Sequence, residues 1–509
     1  MNTRQKVLLI ILDGLGAAPK NNGNAVVLAQ PESLISYWSS SARTYLIASG
    51  EAVGLPKNVK GNSEVGHLNI GSGRTVYQSL PRINNAIAKG QLAQNNTLRE
   101  AFAHAYKYGG NIHLIGLLSD GGVHSHIDHF KAVVGYFSDA NFSNNLYIHA
   151  FTDGRDTPPS SALTYLSQID RYCLDRGIGK IATIIGRYYG MDRNNKWDRT
   201  ELAYDLLVKG IGAEYPTYQN ALEHNYSQNI TDEFIEPAVI NKCKIAPNDA
   251  VILMNYRADR ILQLTEALIS DDFSNFHREK IENLYVAGMV EYRKNFPQKV
   301  IFPKQYINLT LGNVIDTEGK TQLRIAETEK FPHVTYFFNG GTSVIYNNED
   351  RIIIPSPKVA TYDQKPEMSA LEITTILLDR ISRNIYDFIV VNFANTDMVG
   401  HTGNLEAGIK AVKVVDYCVR QLVQEFTLRG GAVIITSDHG NVEEMINLDT
   451  TEVDTEHSLN PVPLIIIDGK TPSKTLPYGS LKDIAPTILD LMGISKPSDM
   501  TGQSLLRTI

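Results

Sequence analysis

The chain has 509 residues, of which 43% are hydrophobic and 20% charged, and its formal net charge is −7 at pH 7. A chain of this length and composition forms an ordinary globular protein with a large buried core. The negative charge argues against sequence-independent binding of nucleic acid, and no run of about 18 apolar residues predicts a membrane span.

Short apolar runs that end abruptly in charged or turn residues recur along the chain. Such runs are typical of strands buried on both faces. They begin at Val7, Ile112, Tyr147, Ile181, Ala250, Phe388 and Ala432. Between them lie longer amphipathic stretches with helical spacing, such as Ser160 to Arg176 and Leu405 to Arg429. This alternation predicts an α/β architecture with mostly parallel sheets.

Polar clusters follow these predicted strands, at the place where parallel sheets bind ligands. The outer parts of the chain supply Asp, His and Ser, whereas the middle supplies mainly Arg. If the outer residues share one centre, both chain ends fold together around an inserted domain. We therefore predict one domain from residues 1–77 and 310–509 and a second from residues 78–309.

Six Asp and His residues near the chain ends form a candidate metal site, and none is specific when taken alone. Asp-Gly after a strand is more often a turn, and a lone His is usually structural. The six candidates are Asp13, Asp397, His401, Asp438, His439 and His457. Together they suffice for two divalent ions, and their oxygen and nitrogen ligands suit Mn²⁺, Zn²⁺ or Mg²⁺ without choosing among them.

Ser63 is a candidate nucleophile in the segment Lys60 to His67. Such a serine is equally well explained as the N-cap of a helix. A helix N-terminus also stabilises a phosphate group, which suits a phosphorylated serine. The sulfatase signature C/S-x-P-x-R is missing here, because Glu64, Val65 and Gly66 follow Ser63. Sulfate ester hydrolysis is therefore disfavoured.

The middle of the chain carries arginines after successive apolar runs. One pair alone is more often a surface ion pair, but a series at strand ends indicates bidentate binding of phosphate and carboxylate. The candidates are Arg155 with Asp156, Arg187, Arg193, Arg257 and Arg260.

The segment GGVHSHIDH leaves two interpretations open. Its His124, His126, Asp128 and His129 either form a metal site, or His124 approaches the substrate while the others pack at the start of a helix. Lys330 offers a further positive charge.

Many motifs in order resemble those of the cofactor-independent phosphoglycerate mutases, two-domain members of the alkaline phosphatase superfamily. The resemblance covers essentially the whole chain. The motifs are LIILDGLG, GEAVGLP, GNSEVGHLNIGSGR, SDGGVHSHIDH, TDGRDTPP, GRYYGMDR, NYRADR, TEKFPHVTYFFNGG, NTDMVGHTG, TSDHGN and HSLNPVP. One departure is Glu456 beside His457, where a small residue is expected; an added carboxylate there would alter metal affinity.

The resemblance implies an alkaline-phosphatase-like metal domain formed by both chain ends and an inserted α/β substrate domain. It implies that Asp397, His401 and His457 hold one Mn²⁺ and that Asp13, Ser63, Asp438 and His439 surround a second. Ser63 would be the phosphorylated nucleophile and Asp156 the general base. The residues implied to bind phosphoglycerate are His124, Arg155, Asp156, Arg187, Arg193, Arg257, Arg260 and Lys330.

The predicted reaction is therefore the interconversion of 3-phosphoglycerate and 2-phosphoglycerate without 2,3-bisphosphoglycerate. Two alternatives stay open: another phosphomutase or phosphomonoesterase of the superfamily, and a catalytically silent phosphometabolite-binding protein. We expect a monomer in the cytoplasm that binds neither nucleic acid nor membrane. Three widely spaced cysteines, Cys173, Cys243 and Cys418, fit a reducing compartment, and we interpret them as packing residues.

Overall fold

The computed structural model describes residues 5–447 and 450–506. The described chain divides into two compact units: the first unit runs up to Gln78 and resumes at Tyr306, and the second unit is Ser79–Gln305. Each unit contains one eight-stranded sheet. The prediction of two α/β domains, one inserted into the other, is therefore confirmed.

The strands of the described residues follow in chain order. They are β1 (Val7–Leu12), β2 (Ala42–Ile47), β3 (Ile112–Leu117), β4 (Leu146–Thr152), β5 (Lys180–Gly186), β6 (Ala213–Glu214), β7 (Ala238–Val239), β8 (Ala250–Leu253), β9 (Tyr285–Gly288), β10 (Lys299–Val300), β11 (Gln322–Glu327), β12 (Glu349–Ile354), β13 (Phe388–Phe393), β14 (Ala432–Thr436), β15 (Val462–Ile467) and β16 (Gly479–Ser480).

The α-helices follow in the same order. They are α1 (Ala25–Ala29), α2 (Glu32–Ser40), α3 (Ser63–Ser72), α4 (Ser79–Ala88), α5 (Asn96–Tyr108), α6 (Ile127–Asp139), α7 (Ala162–Arg176), α8 (Arg187–Gly190), α9 (Trp197–Tyr204), α10 (Tyr218–Ser227), α11 (Leu262–Ile269), α12 (Leu311–Thr317), α13 (Ala370–Ser382), α14 (Asn395–Gly400), α15 (Leu405–Leu428) and α16 (Ile484–Leu491). Short 3₁₀ or π segments lie at Gly50–Val53, Gln91–Gln94, Asp205–Lys209, Asp232–Phe234, Ala258–Arg260, His333–Phe337, Tyr362–Gln364 and Leu481–Asp483.

The sheet of the first unit has the order β12-β11-β13-β1-β14-β15-β2-β16. Strand β1 is paired in parallel with both β13 and β14. All residues of these three strands are buried, as expected for strands covered on both faces. Because the three strands are parallel neighbours, the residues that follow them meet at one edge of the sheet.

The sheet of the second unit has the order β10-β9-β8-β3-β4-β5-β7-β6. Six neighbouring strands run parallel, namely β10, β9, β8, β3, β4 and β5, and β7 is antiparallel to β5. The loops after β3, β4, β5 and β8 therefore open at one edge, where the arginines follow. This sheet, too, places the sequence-predicted polar residues beyond strand ends.

The predicted elements are confirmed. All seven apolar runs form strands, namely β1, β3, β4, β5, β8, β13 and β14, and the two amphipathic stretches form α7 and α15. Among the described residues, no helix is long and apolar enough to cross a membrane.

Candidate metal centre and active site

Three neighbouring strand ends of the first unit supply carboxylates to one buried cluster. Asp13 follows β1, Asp397 lies in α14 after β13, and Asp438 and His439 follow β14. All four are almost completely buried. The Nε2 of His439 lies 3.4 Å from Asp13 Oδ1 and 3.9 Å from Asp397 Oδ1. Charged groups at this depth need mutual pairing or a metal ion.

His401 and His457 converge on one oxygen of Asp397. Asp397 and His401 are four residues apart along α14 and its C-terminus, which places them on one face. The distances to Asp397 Oδ1 are 3.3 Å from His401 Nε2 and 3.2 Å from His457 Nε2. The two Nε2 atoms are 3.0 Å apart. This is a compact set of one oxygen and two nitrogen atoms.

Backbone carbonyls orient all three imidazoles of the cluster. Nδ1 of His401 lies 2.7 Å from the carbonyl oxygen of Thr455, and Nδ1 of His457 lies 2.7 Å from that of Gly61. Nδ1 of His439 is 3.2 Å from the carbonyl oxygen of Gly440. A carbonyl only accepts, so each Nδ1 donates a proton to it, and each Nε2 faces the carboxylates, where it can bind a metal ion once it has lost its own proton. Metal-ligating histidines are typically held in this way.

Ser63 is the first residue of α3 and not its N-cap. Asn62 is the N-cap, and its side chain accepts a hydrogen bond of 3.0 Å from the Val65 N–H. The N-cap interpretation of Ser63 is therefore wrong. Ser63 Oγ lies 3.0 Å from Asp13 Oδ1 and 2.9 Å from His439 Nε2. The hydroxyl thus points into the carboxylate cluster at a helix N-terminus.

Gly66 allows α3 to lie directly against the loop after β14. A Cβ at Gly66 would lie 2.6 Å from the backbone oxygen of Asp438, closer than real Cβ atoms approach. Gly14 is similarly close to Asp397, and its φ of +72° favours glycine. These close approaches fix Ser63 beside the carboxylates.

Lys330 lies at the middle of this cluster. Its Nζ donates to Asp13 Oδ1 at 2.7 Å, Asp397 Oδ2 at 2.6 Å and Ser63 Oγ at 2.7 Å. Burial alone would raise the pKa of Asp13, but the Lys330 ammonium and the His439 imidazole hold it well below its usual value. The pKa of His439 is raised to about 10 by Asp438, Asp13 and Asp397, which outweigh its burial.

Sequence reasoning missed two residues that support the cluster. His67 is fully buried, and its Nδ1 lies 2.9 Å from the Ser63 carbonyl oxygen and 3.1 Å from Asp438 Oδ2. Asn392 donates from Nδ2 to Asp13 Oδ2 at 2.7 Å and lies 3.0 Å from His67 Nε2. The signal for His67 was available, because it stands one helical turn after Ser63. Asn392 lies inside an otherwise apolar strand, and that polar interruption was its only signal.

Glu456 lies outside the metal cluster. Its side chain is 75% exposed and forms an ion pair of 2.9 Å with Lys60. The potential metal-ligand groups among the described residues of the first unit contain His457 but not Glu456. The departure from the family pattern is thus explained by a surface ion pair.

In the second unit, Arg187 joins the loops after β4 and β5. Its Nη1 donates to Asp153 Oδ1 and to Asp156 Oδ2, both at 2.6 Å. Asp153 also accepts hydrogen bonds from Ser119 Oγ at 2.6 Å and from the Asp156 N–H at 3.0 Å. Asp153 was not predicted, although it directly follows the β4 run. It holds the loop that presents Asp156.

Asp259 gathers three further predicted residues. Arg193 Nη1 lies 2.9 Å from Asp259 Oδ2, and Arg257 Nε lies 3.1 Å from Asp259 Oδ1. His124 Nδ1 is 3.6 Å from the same Oδ1. Burial lowers the pKa of His124 to about 4, with a contribution from Arg187. His124 is therefore neutral at pH 7.

Arg155 and Arg260 are the remaining two of the predicted substrate-binding arginines of the second unit. Arg155 forms an ion pair with Glu233, and Arg260 Nη1 donates to the Met191 carbonyl oxygen at 3.4 Å. The pKa of Arg260 is lowered by burial and by the nearby charges of Arg193, Arg187 and Arg155. Arginines that repel one another in a free protein are ready to bind an anion.

The remaining residues of GGVHSHIDH form the start of α6. His126 is the N-cap, and its side chain accepts from the Asp128 N–H at 3.2 Å. His129 is buried against Asn84 Oδ1 at 2.8 Å, and burial lowers its pKa to about 3. No potential metal-ligand group of the described chain draws on this segment. The helix-start interpretation is favoured.

Comparison with known proteins identifies the family. The model described as "BPG-independent PGAM N-terminus" matches residues 83–294, and "Type I phosphodiesterase / nucleotide pyrophosphatase" matches residues 278–475. The chain is 46% identical over 510 residues to the 2,3-bisphosphoglycerate-independent phosphoglycerate mutase of Clostridium beijerinckii, covering 99% of each chain. It is 48% identical to that of Moorella thermoacetica, covering 98% of each. The chain belongs to the 2,3-bisphosphoglycerate-independent phosphoglycerate mutases.

A solved structure of a phosphoglycerate mutase has the same fold. The crystal structure of Leishmania mexicana phosphoglycerate mutase at low cobalt concentration covers 98% of this chain, and the chain covers 97% of it, with a TM-score of 0.58 and 29% identity. The resemblance stated from the motifs is thereby confirmed. The relatives that match over the full length are named as mutases. The two alternatives, a phosphomonoesterase and a catalytically silent binding protein, are therefore not favoured.

Proposed function

We propose that the chain interconverts 3-phosphoglycerate and 2-phosphoglycerate through phosphorylated Ser63, without 2,3-bisphosphoglycerate. The observation that carries this proposal is the position of Ser63 Oγ. It lies at a helix N-terminus, 2.7 Å from the Lys330 ammonium and 2.9 Å from His439 Nε2. A phosphate group bound there meets the positive charge of Lys330 and the positive end of the helix dipole. Relatives of the chain are named for the same activity.

The donor set of the first unit fits two divalent cations. Asp397, His401 and His457 form one potential ligand group, and groups around Asp13, Asp397 and His439 and around Asp13, His67 and Asp438 supply ligands for a second ion. The donor atoms of each group lie within 4.8 Å of one another, and only oxygen and nitrogen are present. Bound cations would lower the pKa of the serine hydroxyl and neutralise charge on the phosphoryl oxygens. We propose Mn²⁺ as the ion.

The first step transfers the phosphoryl group from substrate to Ser63. Ser63 Oγ loses its proton and attacks phosphorus, the bond between phosphorus and the glycerate oxygen breaks, and that oxygen takes up one proton, so that glycerate stays in the site. Asp13 Oδ1 accepts the hydroxyl hydrogen bond, which aligns Oγ, and the Lys330 ammonium stabilises the developing negative charge. Lys330 is suited to this because three anionic or polar oxygens hold it in place.

The second step returns the phosphoryl group to the other hydroxyl of glycerate. Asp156 removes the proton from that hydroxyl as general base. Arg187 fixes the Asp156 carboxylate through a hydrogen bond of 2.6 Å. Glycerate carboxylate and phosphate oxygens are bound by His124 and by the arginines, which are Arg155, Arg187, Arg193, Arg257 and Arg260. We propose that the second unit is the phosphoglycerate-binding domain for this reason.

The test is conversion of 3-phosphoglycerate to 2-phosphoglycerate by the purified chain with no 2,3-bisphosphoglycerate present. We expect turnover with added Mn²⁺ and none after chelation. Inorganic phosphate and glycerate should stay below a few per cent of product, since a phosphomonoesterase would release both. A folded protein that shows no turnover with any divalent ion would overturn the proposal.

We further propose that the enzyme acts as a monomer in the cytoplasm. The proposal rests on the sequence: the cysteines show no disulfide-type pattern, and the substrate belongs to central metabolism. Light scattering after size exclusion tests the monomer, and a molar mass near 56.5 kDa is expected.

A further inference from the structure

Two buried histidines and a cysteine of the second unit lie together, away from the arginines. His113 and His149 are fully buried on β3 and β4, and Cys243 lies in the loop after β7. Their donor atoms, Sγ of the cysteine and one nitrogen of each imidazole, lie within 4.8 Å of one another. The proposed reaction uses none of these three residues.

The sheet register brings the two imidazoles side by side. His113 is opposite Tyr147 and Ile115 is opposite His149, so the histidines are diagonal neighbours on adjacent parallel strands. Nδ1 of His113 lies 2.9 Å from Nε2 of His149. This contact is a hydrogen bond in which one ring nitrogen donates a proton to the other, and a bound metal ion would replace that shared proton.

The outer nitrogen of each imidazole already has a partner. Nε2 of His113 lies 3.0 Å from Asp249 Oδ2, and Nδ1 of His149 lies 2.9 Å from Thr183 Oγ1. Asp249 is itself held by hydrogen bonds from the backbone N–H groups of Asn111 at 2.7 Å and Ala246 at 2.8 Å. A carboxylate behind a histidine is the usual support of a zinc ligand.

We propose that His113, His149 and Cys243 bind one Zn²⁺ ion at this place, separate from the catalytic cations. Two neutral imidazoles, one thiolate and the Asp249 carboxylate behind them balance the charge of the ion, and a water molecule completes four ligands. Binding releases the thiol proton of Cys243 to the solvent. In a tetrahedral site the donor atoms are about 3.5 Å apart, so the partly exposed cysteine moves inward on binding.

The thiolate ligand gives the site a spectroscopic signature. The catalytic donor set contains only oxygen and nitrogen, whereas thiolate-bound Co²⁺ shows a strong charge-transfer band in the near ultraviolet. Co²⁺ is therefore added to the chelator-treated full-length chain and the band is titrated. We expect saturation at one equivalent of thiolate-bound ion, and reversal by Zn²⁺.

Matched variants separate this site from the others. Cys243→Ser should remove the band and lower zinc affinity at least about 100-fold while mutase turnover is unchanged, whereas Cys173→Ser should keep the band. Asp249→Asn should weaken zinc binding about 10- to 100-fold. Asp397→Asn should lose catalytic metal but keep the band. The proposal is overturned if the natural chain gives no thiolate band, or if the band survives in a folded Cys243→Ser protein.

Discussion

The ammonium of Lys330 lies 2.7 Å from the hydroxyl oxygen of Ser63. The same nitrogen contacts Asp13 and Asp397, so a single buried cation links the nucleophile to the carboxylates that surround it. Burial opposes the charge on Lys330, but Asp13, Asp397 and Asp438 raise its pKa above the usual value. Lys330 therefore stays protonated throughout the working pH range.

Replacing Lys330 by methionine should lower kcat about 10²- to 10³-fold, because the developing charge on Ser63 Oγ loses a preorganised donor. Steady-state assays at saturating Mn²⁺ measure this effect. Lys60→Met is the matched control, since Lys60 pairs with Glu456 at the surface, and its kcat should change less than twofold. Equal kcat for Lys330→Met and the natural chain would contradict the role of Lys330.

Asn392 should act as a positioning residue for Asp13. Asn392→Leu keeps similar volume but leaves Asp13 Oδ2 and His67 Nε2 without their shared partner, so we expect metal dissociation constants to rise about 10- to 100-fold. Isothermal titration with Mn²⁺ measures them. The exposed Asn145→Ala should leave them unchanged. Rescue of Asn392→Leu turnover by high Mn²⁺ is expected, and a turnover defect that metal cannot rescue would refute positioning.

Adjacent residues Glu456 and His457 should behave in opposite ways. His457→Ala removes a nitrogen that lies 3.2 Å from Asp397 Oδ1, so one bound ion per chain should be lost. Glu456→Ala removes only the surface ion pair with Lys60, and metal content should stay the same. Metal analysis after dialysis gives the number of ions bound per chain in each variant. A loss of metal in Glu456→Ala would show that the carboxylate is a ligand after all.

Arg187 should matter for both stability and substrate binding. Its side chain is only 2% exposed, and removal leaves the buried Asp153 and the partly buried Asp156 without their cation. We expect Arg187→Met to lose about 3–5 kcal/mol in the free energy of unfolding and to raise KM. Arg176→Met breaks an ion pair whose arginine is 40% exposed, so its loss should stay under about 1 kcal/mol. Urea denaturation compares the two.

Glu327 should make stability depend on pH. It is fully buried at the end of β11, and burial raises its pKa to about 7 from 4.5. The raised pKa favours the folded state when Glu327 is protonated, so this stabilisation is complete below pH 4.5 and is lost as the pH rises through 7. The loss amounts to about 3 kcal/mol.

Urea denaturation of the natural chain and of Glu327→Gln at several pH values isolates this effect. The free energy of unfolding of Glu327→Gln, relative to that of the natural chain, should increase from pH 4.5 to pH 8. Exposed Glu372→Gln should show no such trend. A pH-independent difference for Glu327→Gln would mean that the buried carboxyl does not titrate in this range.

The sequence predicted the fold and the cluster members because their signals are local. Each of the seven apolar runs forms a largely buried strand, and Asp13, Asp397 and Asp438 stand within a few residues of strand ends. Asn392 and Asp153 were missed because their roles depend on neighbours 379 and 34 residues away, Asp13 and Arg187. Ser63 shows the same limit: only coordinates distinguish a first helical residue from an N-cap when Asn62 precedes it.

Phosphoryl transfer through Ser63 is tested most directly by following the phosphoryl group of the substrate. The enzyme is mixed with 3-phosphoglycerate labelled on phosphorus, quenched within one turnover, and the labelled peptide is sequenced. We expect a label on Ser63 that passes into 2-phosphoglycerate during a chase with unlabelled substrate, and neither label nor turnover in folded Ser63→Ala. Turnover by Ser63→Ala, or a label on another residue, would contradict phosphoryl transfer through Ser63.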